Sequence, residues 1–243
     1  MSKRLKFFLS HLAISAIIAL LVICVVFLLW YPAPLAKAVG VTHIFLMMLA
    51  IDVIIGPVLG LLVYKEGKKT LKMDLSIIIL LQLSALGYGV YSIEQGRPAW
   101  IAYVVDRFEL VRKNEIVDEN IIKALPQYQH PAWLKPQYVM AQRGKTNEER
   151  NNDLFAEALG GISIAQRPER YTDISYAKTQ IQQRMQKLDQ LKQYNDAKTV
   201  ADILAKYPQA VGWMPLKAIA VDMTVLLDGQ GNVVKIVDLR PWN

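Results

Sequence analysis

The sequence predicts an α+β protein in which three transmembrane helices are followed by an outward-facing α+β domain. Two observations support this prediction. Three apolar runs follow one another within residues 1–93, whereas residues 94–243 alternate short apolar segments with charged ones. Hydrophobic residues make up 53% of the chain and charged residues 20%, averages that look nearly globular until they are divided along the chain. We therefore predict a membrane region over residues 1–93 and one folded domain over residues 94–243.

The positive charge of the chain is concentrated beside the apolar runs. Residues 1–93 carry eight Lys or Arg and three Asp or Glu, and the remaining 150 residues carry twenty and eighteen. Of the net charge of +7, the first part therefore holds +5. Basic clusters that flank apolar runs are typical of membrane proteins, so no nucleic-acid partner is expected. The same composition excludes a disordered chain, a wholly soluble chain and a disulfide scaffold.

Each apolar run is long enough to cross a bilayer. We place the spans at about residues 7–30, 41–64 and 75–93, roughly 28 to 36 Å as helices against a hydrocarbon layer of about 30 Å. Three basic residues precede the first span and four lysines separate the second from the third, whereas the first connection contains one lysine. The positive-inside rule then places the N-terminus in the cytoplasm and everything after residue 93 on the far side. Cleavage of the first span as a signal peptide is the alternative, and the length of the run favours its retention.

The second span carries an acidic residue at membrane depth. A carboxylate near the bilayer centre costs about 3 kcal/mol on insertion scales, and it is usually neutralised, paired or functional. Asp52 shares a helical face with Gly56 and Gly60, whose spacing allows close approach of another helix. Pro57 lies between the glycines and removes a helical N–H donor. Since no cation of the chain lies at the depth of Asp52, two interpretations remain: a protonated Asp52 hydrogen-bonded to backbone or to Gln82, and a polar contact with a helix of another protein.

The sequence contains no catalytic or metal-binding pattern. Intramembrane aspartyl proteolysis needs a second carboxylate at the same depth, and Asp74 lies at the cytoplasmic boundary. The three histidines, His11, His43 and His130, are too widely spread for a metal site. Cys24 is the only cysteine, which leaves the outward domain without disulfide or thiol chemistry. We therefore expect no enzyme activity, no metal and no cofactor.

Four segments of the outward domain predict β-strands. Residues 100–111 have the composition of one strand, apolar on both faces at first and alternating later, and residues 135–142 could form a second. Near the end of the chain, two alternating segments flank Asp228–Asn232 and predict a hairpin. The acidic and glycine residues of this turn suit turn chemistry, and a calcium loop would need more carboxylates.

Three segments of the outward domain predict helices. Thr146 and Glu149 match a capping box that opens a helix through Leu159, which a glycine pair closes. An apolar stripe over residues 174–191 predicts one long helix, either packed on the sheet or forming a coiled coil with a partner. A further helix over residues 197–207 stops at a proline.

Several segments, taken in order, are similar to a known bacterial family. They are Asp52–Leu59, Gly67–Leu75 and Gln82–Gly89, then Arg97–Pro98 with Val105–Leu110, and more loosely Arg167–Pro168 with Tyr171, Leu204–Pro208 and Arg240–Trp242. In this order and spacing they resemble the TfpX/TfpZ family of type IV pilin accessory proteins. The resemblance covers most of the chain and is strongest from Asp52 to Leu110.

The resemblance implies a role in type IV pilus assembly, fimbrium biogenesis and twitching motility. Family members are encoded with type IV pilins and are not known as enzymes. The implied location is the bacterial inner membrane, with several passes, a cytoplasmic N-terminus and a periplasmic C-terminal domain. The expected partners are the type IV major pilin, the lipid bilayer and the pilus assembly machinery.

A major pilin waits in the membrane as one apolar helix with a globular head outside, and this chain offers a surface for each part. The residues expected to contact the partner are Asp52, Gly56, Pro57, Gly60 and Gln82 in the membrane and Asp106 and Arg107 outside. In this hypothesis Asp52 pairs with the N-terminal amine of the pilin, and Asp106 and Arg107 form either a structural ion pair or a partner contact. The alternative is a membrane sensor or transporter subunit with an outward ligand-binding domain.

Overall fold

The computed structural model describes residues 1–242, which divide into two compact units. The helical unit comprises Met1–Trp30 and Val41–Gly96. The sheet unit comprises Tyr31–Gly40 together with the chain from Arg97 onward. The short connection between the first two apolar helices therefore belongs to the sheet unit, although the rest of that unit begins only at Arg97.

Helices and strands are numbered in chain order. The helices are α1 (Lys3–Cys24), which continues as a π-helical turn (Val25–Trp30), α2 (Leu35–Val39), α3 (Val41–Val63), α4 (Leu71–Gln95), α5 (Pro126–Gln129), α6 (Asn147–Gly160), α7 (Lys178–Arg184) and α8 (Ala197–Leu204). The strands are β1 (Pro98–Val104), β2 (Arg107–Arg112), β3 (Gln137–Ala141), β4 (Tyr171–Asp173), β5 (Gln186–Lys187), β6 (Gly212–Lys217), β7 (Met223–Leu227) and β8 (Val233–Val237).

Three helices of the helical unit, counted within residues 1–242, are long and apolar enough to cross a membrane. They are α1 with its π-helical turn, α3 and α4. The first begins four residues before the span that hydropathy predicts, the second ends one residue earlier, and the third is longer at both ends. α3 packs against both neighbours, with Phe45 and Leu49 buried and the rings of Phe27 and Phe45 meeting edge to face at 5.5 Å. Most other apolar side chains of these helices are exposed, as a surface that faces lipid requires.

The sheet unit is built on one mixed sheet, which confirms the α+β class. Within the described residues its strand order is β4-β3-β1-β2-β6-β7-β8, and β5 pairs with β6 beside β2. The pairs β1–β3 and β2–β6 are parallel, and the other pairs are antiparallel. Both faces of the sheet are buried. On β1, for example, Ile101 and Tyr103 enter one core, whereas Trp100, Ala102 and Val104 enter another on the opposite face.

Two of the predicted elements are wrong. Residues 100–111 form the β1–β2 hairpin rather than one strand, and the chain reverses at Val105 and Asp106. The sequence did not reveal this reversal because it lacks the Gly, Asn or Pro that usually marks such a turn. The long helix over residues 174–191 is also absent. Met185 leaves the helical conformation, with ψ 139°, and the next two residues pair with β6. The apolar stripe therefore serves two cores, Ile181 in one and Leu191 in another, and a coiled coil through this segment is excluded.

Several local predictions are confirmed. The Thr146 side chain accepts from the Glu149 backbone N–H at 3.1 Å, and α6 ends at Gly161, whose φ of 65° suits a residue without a side chain. Residues 135–142 contain β3, and the closing hairpin is β7–β8. At its turn Asp228 accepts backbone hydrogen bonds from Gln230 at 2.9 Å and Asn232 at 2.8 Å. The helix predicted over residues 197–207 is present as α8 but ends earlier.

The connection between α1 and α3 contributes to the core of the sheet unit. Leu35 is 3% exposed and Ala38 fully buried, and both belong to the same core cluster as Ile101. The carbonyl of Ala38 accepts backbone hydrogen bonds from Ala220 at 3.0 Å and Val221 at 3.2 Å. Hydropathy identifies this segment only as the connection between the first two apolar runs, so its burial is a finding of the structure.

The buried position of Leu35 gives a stability prediction. Leu35→Ala removes a core side chain, so we expect the full-length protein in detergent to lose about 2–4 kcal/mol of unfolding free energy. Denaturant unfolding followed by near-UV circular dichroism measures this loss. Leu125→Ala is the matched control, because Leu125 is 51% exposed, and it should change the unfolding free energy by less than about 0.5 kcal/mol. Equal effects of the two substitutions would contradict the burial of the connection.

Candidate functional site

A polar cluster lies within the helical unit among side chains that are otherwise apolar. Its centre is Gln82 on α4, whose amide nitrogen donates to the Ser15 hydroxyl of α1 and to the backbone carbonyl of Asp52 on α3, both at 3.0 Å. The amide oxygen of Gln82 lies 2.9 Å from Nε2 of His11, which therefore acts as the donor. One side chain thus connects all three membrane-length helices by hydrogen bonds.

Side chains of the same chain occupy the space beside Gly56 and Gly60 in the second span. A Cβ added at Gly56 would lie 1.9 Å from Oε1 of Gln82, and one at Gly60 would lie 2.9 Å from the Phe7 ring. Gly56, Pro57 and Gly60 are all buried. The close approach that this spacing permits is therefore made to α4 at Gly56 and to α1 at Gly60.

Asp52 lies beside this cluster and is half-buried. Its backbone carbonyl accepts from Gln82, and within residues 1–242 its carboxyl group forms no ion pair. The structure places Gln82 against the Asp52 backbone, and both interpretations of the Asp52 carboxyl group, a protonated group held within the chain and a contact with a helix of another protein, stay predictions. The apolar side chains that flank Asp52, Ile51 and Ile55, are 55% and 50% exposed.

Asp106 and Arg107 lie where β1 reverses into β2, in a strained turn. The Asp106 backbone N–H donates to the Val104 carbonyl at 2.6 Å, which closes a three-residue turn over Val105. Val105 has a φ of 54°, a value that a β-branched residue rarely adopts. Strained backbone of this kind persists only where the surroundings hold it, and it is concentrated at binding sites.

Two side chains hold the strained residue in place. The Tyr103 hydroxyl donates to the Val105 carbonyl at 2.5 Å, and the Arg184 guanidinium on α7 donates to the same oxygen. Burial raises the pKa of the Tyr103 hydroxyl, so it stays protonated and keeps donating at neutral pH. The turn is therefore fixed from β1 and from α7, which makes it a rigid feature of the surface.

Arg107 pairs mainly with Glu109 rather than with Asp106. Its guanidinium lies 2.8 Å from the Glu109 carboxylate, whose side chain is 7% exposed. The distances to Glu157 and Asp106 are 3.7 Å and 3.9 Å. The Asp106 side chain is 67% exposed, so its carboxylate is accessible on the surface.

A buried carboxylate organises the neighbouring surface. Asp153 on α6 is 6% exposed, and it accepts from the Gly144 backbone N–H at 3.0 Å. It also accepts from the guanidinium groups of Arg167 at 3.4 Å and Arg170 at 3.1 Å. These bonds join α6 to the end of β3 and to the segment that leads into β4.

Two hollows meet at the β1–β2 turn. One has a volume of about 220 Å³ and lies between the turn and α6. The other has a volume of about 500 Å³ and lies between the turn, the end of β3 and α7. Val105, Arg143 and Arg150 line both hollows, which therefore form one continuous surface. Among residues 1–242 no group of three His, Cys, Asp or Glu side chains is arranged to hold a metal ion.

The structure brings together some of the sequence-predicted residues and adds others. Asp52, Gly56 and Gln82 converge, as do Asp106 and Arg107, within their own units. Sequence reasoning did not connect His11 and Ser15 with Gln82, although all three are polar residues within apolar runs, a signal that could have paired them. No local signal marks Arg143, Arg150 and Arg184, because three separate segments bring them to the turn.

Three apolar helices long enough to cross a membrane, followed by a folded α+β unit, are the organisation of a multi-pass membrane protein with one large folded domain. A family model described as fimbrial assembly protein FimB matches residues 1–40. The chain is 33% identical over 116 residues to the fimbrial assembly protein of serogroups C1 and C2 of Dichelobacter nodosus. This alignment covers 47% of this chain and 88% of that protein. The chain belongs to the fimbrial assembly protein family.

Two longer relatives match almost the whole chain. The fimbrial assembly proteins of serogroup E1 and of serogroup I of Dichelobacter nodosus are each 28% identical to it over 238 residues. Each alignment covers 94% of this chain and 92% of the relative. No solved structure matches the chain significantly. The similarity therefore extends through both the helical unit and the sheet unit.

The contact between Gly56 and Gln82 predicts a non-additive pair of substitutions. Gly56→Ala places a methyl group against Gln82, and we expect overpacking to cost about 1–3 kcal/mol of bundle stability. The double variant Gly56→Ala/Gln82→Ala removes the clash, so its cost should be less than the sum of the two single costs. Loss of helicity on titration with a denaturing detergent measures these changes.

Gly87→Ala is the control for this experiment, because no atom lies within 4 Å of a Cβ at Gly87. It should leave the transition unchanged. Strict additivity of the Gly56 and Gln82 substitutions would show that the two residues do not touch.

The Asp153 cluster gives a second prediction for this part of the structure. Asp153→Asn leaves two guanidinium groups without their carboxylate, and we expect it to cost about 3 kcal/mol of unfolding free energy. Asp189→Asn also breaks an ion pair, at 3.1 Å to Lys192, but the Asp189 side chain is 92% exposed. This control should cost less than about 1 kcal/mol, since exposed pairs contribute little. Chemical unfolding measures the unfolding free energy of both variants. If Asp153→Asn loses no more than Asp189→Asn, Asp153 does not hold this part of the structure together.

Proposed function

We propose that this protein docks a cognate type IV pilin in the bacterial inner membrane and assists its assembly into a pilus, by binding and without catalysis. The observation that carries the proposal is the combination of membrane-length helices with a folded α+β unit in a chain of the fimbrial assembly protein family. A type IV pilin has the same division, one apolar helix and one globular head. A protein that recognises both parts needs a surface in the bilayer and a surface outside it.

The arrangement of the two units in the sequence supports a single membrane topology. Tyr31–Gly40 and the chain from Arg97 onward fold into one compact unit, so both must lie on the same side of the membrane. An odd number of crossings connects the N-terminus to that side. The basic residues lie at the N-terminus and between α3 and α4, and the positive-inside rule then favours a periplasmic sheet unit.

In the proposal, the membrane contact with the pilin uses exposed side chains of α3 and not the glycine face. Gly56 and Gly60 are occupied by Gln82 and Phe7 of the same chain, so they support the bundle rather than offer a groove. Asp52 is half-buried and forms no ion pair within residues 1–242, and Ile55, one turn further along α3, is exposed. In the proposal, the positively charged amine of the pilin N-terminus approaches Asp52 along this side.

Outside the membrane, the proposal places the pilin head near the β1–β2 turn. Asp106 is exposed there on a turn that Tyr103 and Arg184 hold rigid. Rigid surface features lower the entropic cost of association, because little is ordered on binding. Arg107 takes part less directly, since Glu109 already binds its guanidinium.

Crosslinking within the membrane tests the pilin contact. A photoreactive residue at position 55 should form an adduct with the pilin in cells, because Ile55 is 50% exposed beside Asp52. A photoreactive residue at position 81 is the control, since Leu81 on α4 is 64% exposed and lies on another helix. Adducts at both positions alike, or at position 81 alone, would contradict a pilin site at Asp52.

Deletion of the gene tests the wider role. Surface pili and twitching motility should be reduced or lost in the deletion strain, and a plasmid copy should restore them. The amount of pilin, measured in the same cells, shows whether the loss follows from pilin instability or from failed assembly. Normal pili and normal motility would defeat the proposal and favour a sensor or transporter subunit.

A further inference from the structure

Four cationic side chains converge on the larger hollow at the β1–β2 turn. They are Arg143 and Lys145 after β3, Arg150 on α6 and Arg184 on α7. The other residues that line this hollow are neutral, so no lining carboxylate balances them. A concentration of one charge in a concave surface attracts the opposite charge and raises its local concentration.

None of the four cations forms an ion pair within residues 1–242. Arg150 donates to the carbonyls of Gly144 at 2.9 Å and Lys145 at 3.5 Å, and Arg184 donates to the Val105 carbonyl. These bonds orient the two guanidinium groups without neutralising them. For Arg143 and Lys145, the described part of the chain gives no side-chain partner.

The absence of ion pairs is selective, because other arginines nearby are neutralised. Arg107 pairs with Glu109 at 2.8 Å, and Arg167 and Arg170 bind the buried Asp153. The two buried carboxylates of this region, Glu109 and Asp153, are thus paired with arginines that do not line the larger hollow. The four cations inside it are left for a charge that the chain does not supply.

The smaller hollow adds an apolar component to the same surface. Val104, Leu154 and Ile164 contribute apolar groups to its lining, and Leu154 is 59% exposed. Three acidic residues, Asp106, Asp153 and Glu157, also line this smaller hollow, so the carboxylates of a ligand belong in the larger hollow, which no acidic residue lines. Its volume of about 220 Å³ is below that of pockets that enclose drug-sized ligands and leaves room for a side chain. Because Arg143 and Arg150 line both hollows, an apolar group here would sit directly beside the cationic groove.

We propose that these two hollows bind an acidic segment of a partner polypeptide, with its carboxylates along the four cations and one apolar side chain in the smaller hollow. The inference goes beyond pilin docking and holds whichever protein supplies the segment. Guanidinium groups bind carboxylates in bidentate fashion, which gives orientation as well as affinity. The side-chain amides of Gln142 and Gln180 in the groove can hydrogen-bond to the backbone of such a segment.

A polypeptide segment fits this surface better than a membrane phospholipid or a free phosphate. A phospholipid carries two long acyl chains, which the smaller hollow cannot hold. A free phosphate would use the cations but would leave the apolar hollow empty. An acidic segment with an interspersed apolar residue uses both hollows at once.

The test is peptide binding to the full-length protein in detergent, measured by fluorescence anisotropy at low ionic strength. The probe is a fluorescein-labelled peptide of sequence Glu-Asp-Leu-Glu-Asp, and its neutral counterpart is Gln-Asn-Leu-Gln-Asn. The acidic peptide should bind at least tenfold more tightly than the neutral one, and its affinity should fall as salt is added. Equal binding of the two peptides, or no binding of the acidic one, would overturn the proposal.

Paired substitutions locate the site. Arg143→Gln/Lys145→Gln should weaken acidic-peptide binding at least fivefold, and because neither side chain has an internal partner, the circular dichroism spectrum should not change. Lys123→Gln/Lys198→Gln is the matched control, since it removes the same charge at two exposed lysines outside the groove, and it should change binding less than twofold. Leu154→Ala should weaken binding several-fold through the smaller hollow. Equal losses in the two double variants would refute the site.

Two further probes separate the competing ligands. Inorganic phosphate should compete with the peptide only in the way that an equal ionic strength of chloride does. Vesicles of phosphatidylglycerol should bind the wild type and Arg143→Gln/Lys145→Gln alike. Loss of vesicle binding with intact peptide binding in that variant would overturn the proposal in favour of a lipid site. Normal pili in a deletion strain would defeat pilin assembly as the function and leave these binding measurements unaffected.

Discussion

The burial of Tyr31–Gly40 in the sheet unit is the constraint on which the rest of the structure depends. Lys37 pairs with Asp238 at 2.6 Å, and the carbonyl of Ala38 binds the backbone just before β7, so residues about two hundred positions apart must meet. Such long-range contacts form only after the intervening chain is in place. The sheet unit can therefore be completed only when α3 and α4 are in place and bring the chain back to Tyr31–Gly40. In the proposed topology, this single segment couples the insertion of α3 and α4 to the folding of the sheet unit.

Within the bilayer, the governing requirement is that polar groups find partners inside the chain. Lipid offers no hydrogen bonds, so Gln82 of α4 meets two polar side chains of α1, Ser15 and His11, and one backbone carbonyl of α3, that of Asp52. Gly56 exists as a glycine because the Gln82 side chain occupies the space of its Cβ. The feature that looked from its spacing like a docking groove is thus part of the internal packing. Asp52 is the acidic residue of α3 and has no cation as a partner within residues 1–242. The proposed partner contact is therefore at Asp52 and not at the glycines.

The sequence predicted the elements that local chemistry determines and failed where distant residues decide. Hydropathy predicted the three membrane-length helices, the capping box at Thr146 predicted α6, and the turn at Asp228 predicted the last hairpin. Each of these signals lies within one continuous segment of the sequence. The reversal at Val105 has no such signal, since its positive φ is held by Tyr103 and Arg184 from other parts of the chain. The break at Met185 likewise follows from pairing with β6. The candidate groove could not be predicted for the same reason.

The distribution of ion pairs in the sheet unit connects its stability to its binding. Asp153 and Glu109 are buried carboxylates, and each would be costly without a cation, so arginines are drawn to them first. This internal neutralisation makes the frame around the β1–β2 turn rigid. It also means that the four cations of the larger hollow form no ion pair within residues 1–242, and that no carboxylate lines this hollow to compete with one that a binding partner supplies. The same allocation of charge therefore explains both why the turn can stay strained and why the groove beside it remains positively charged.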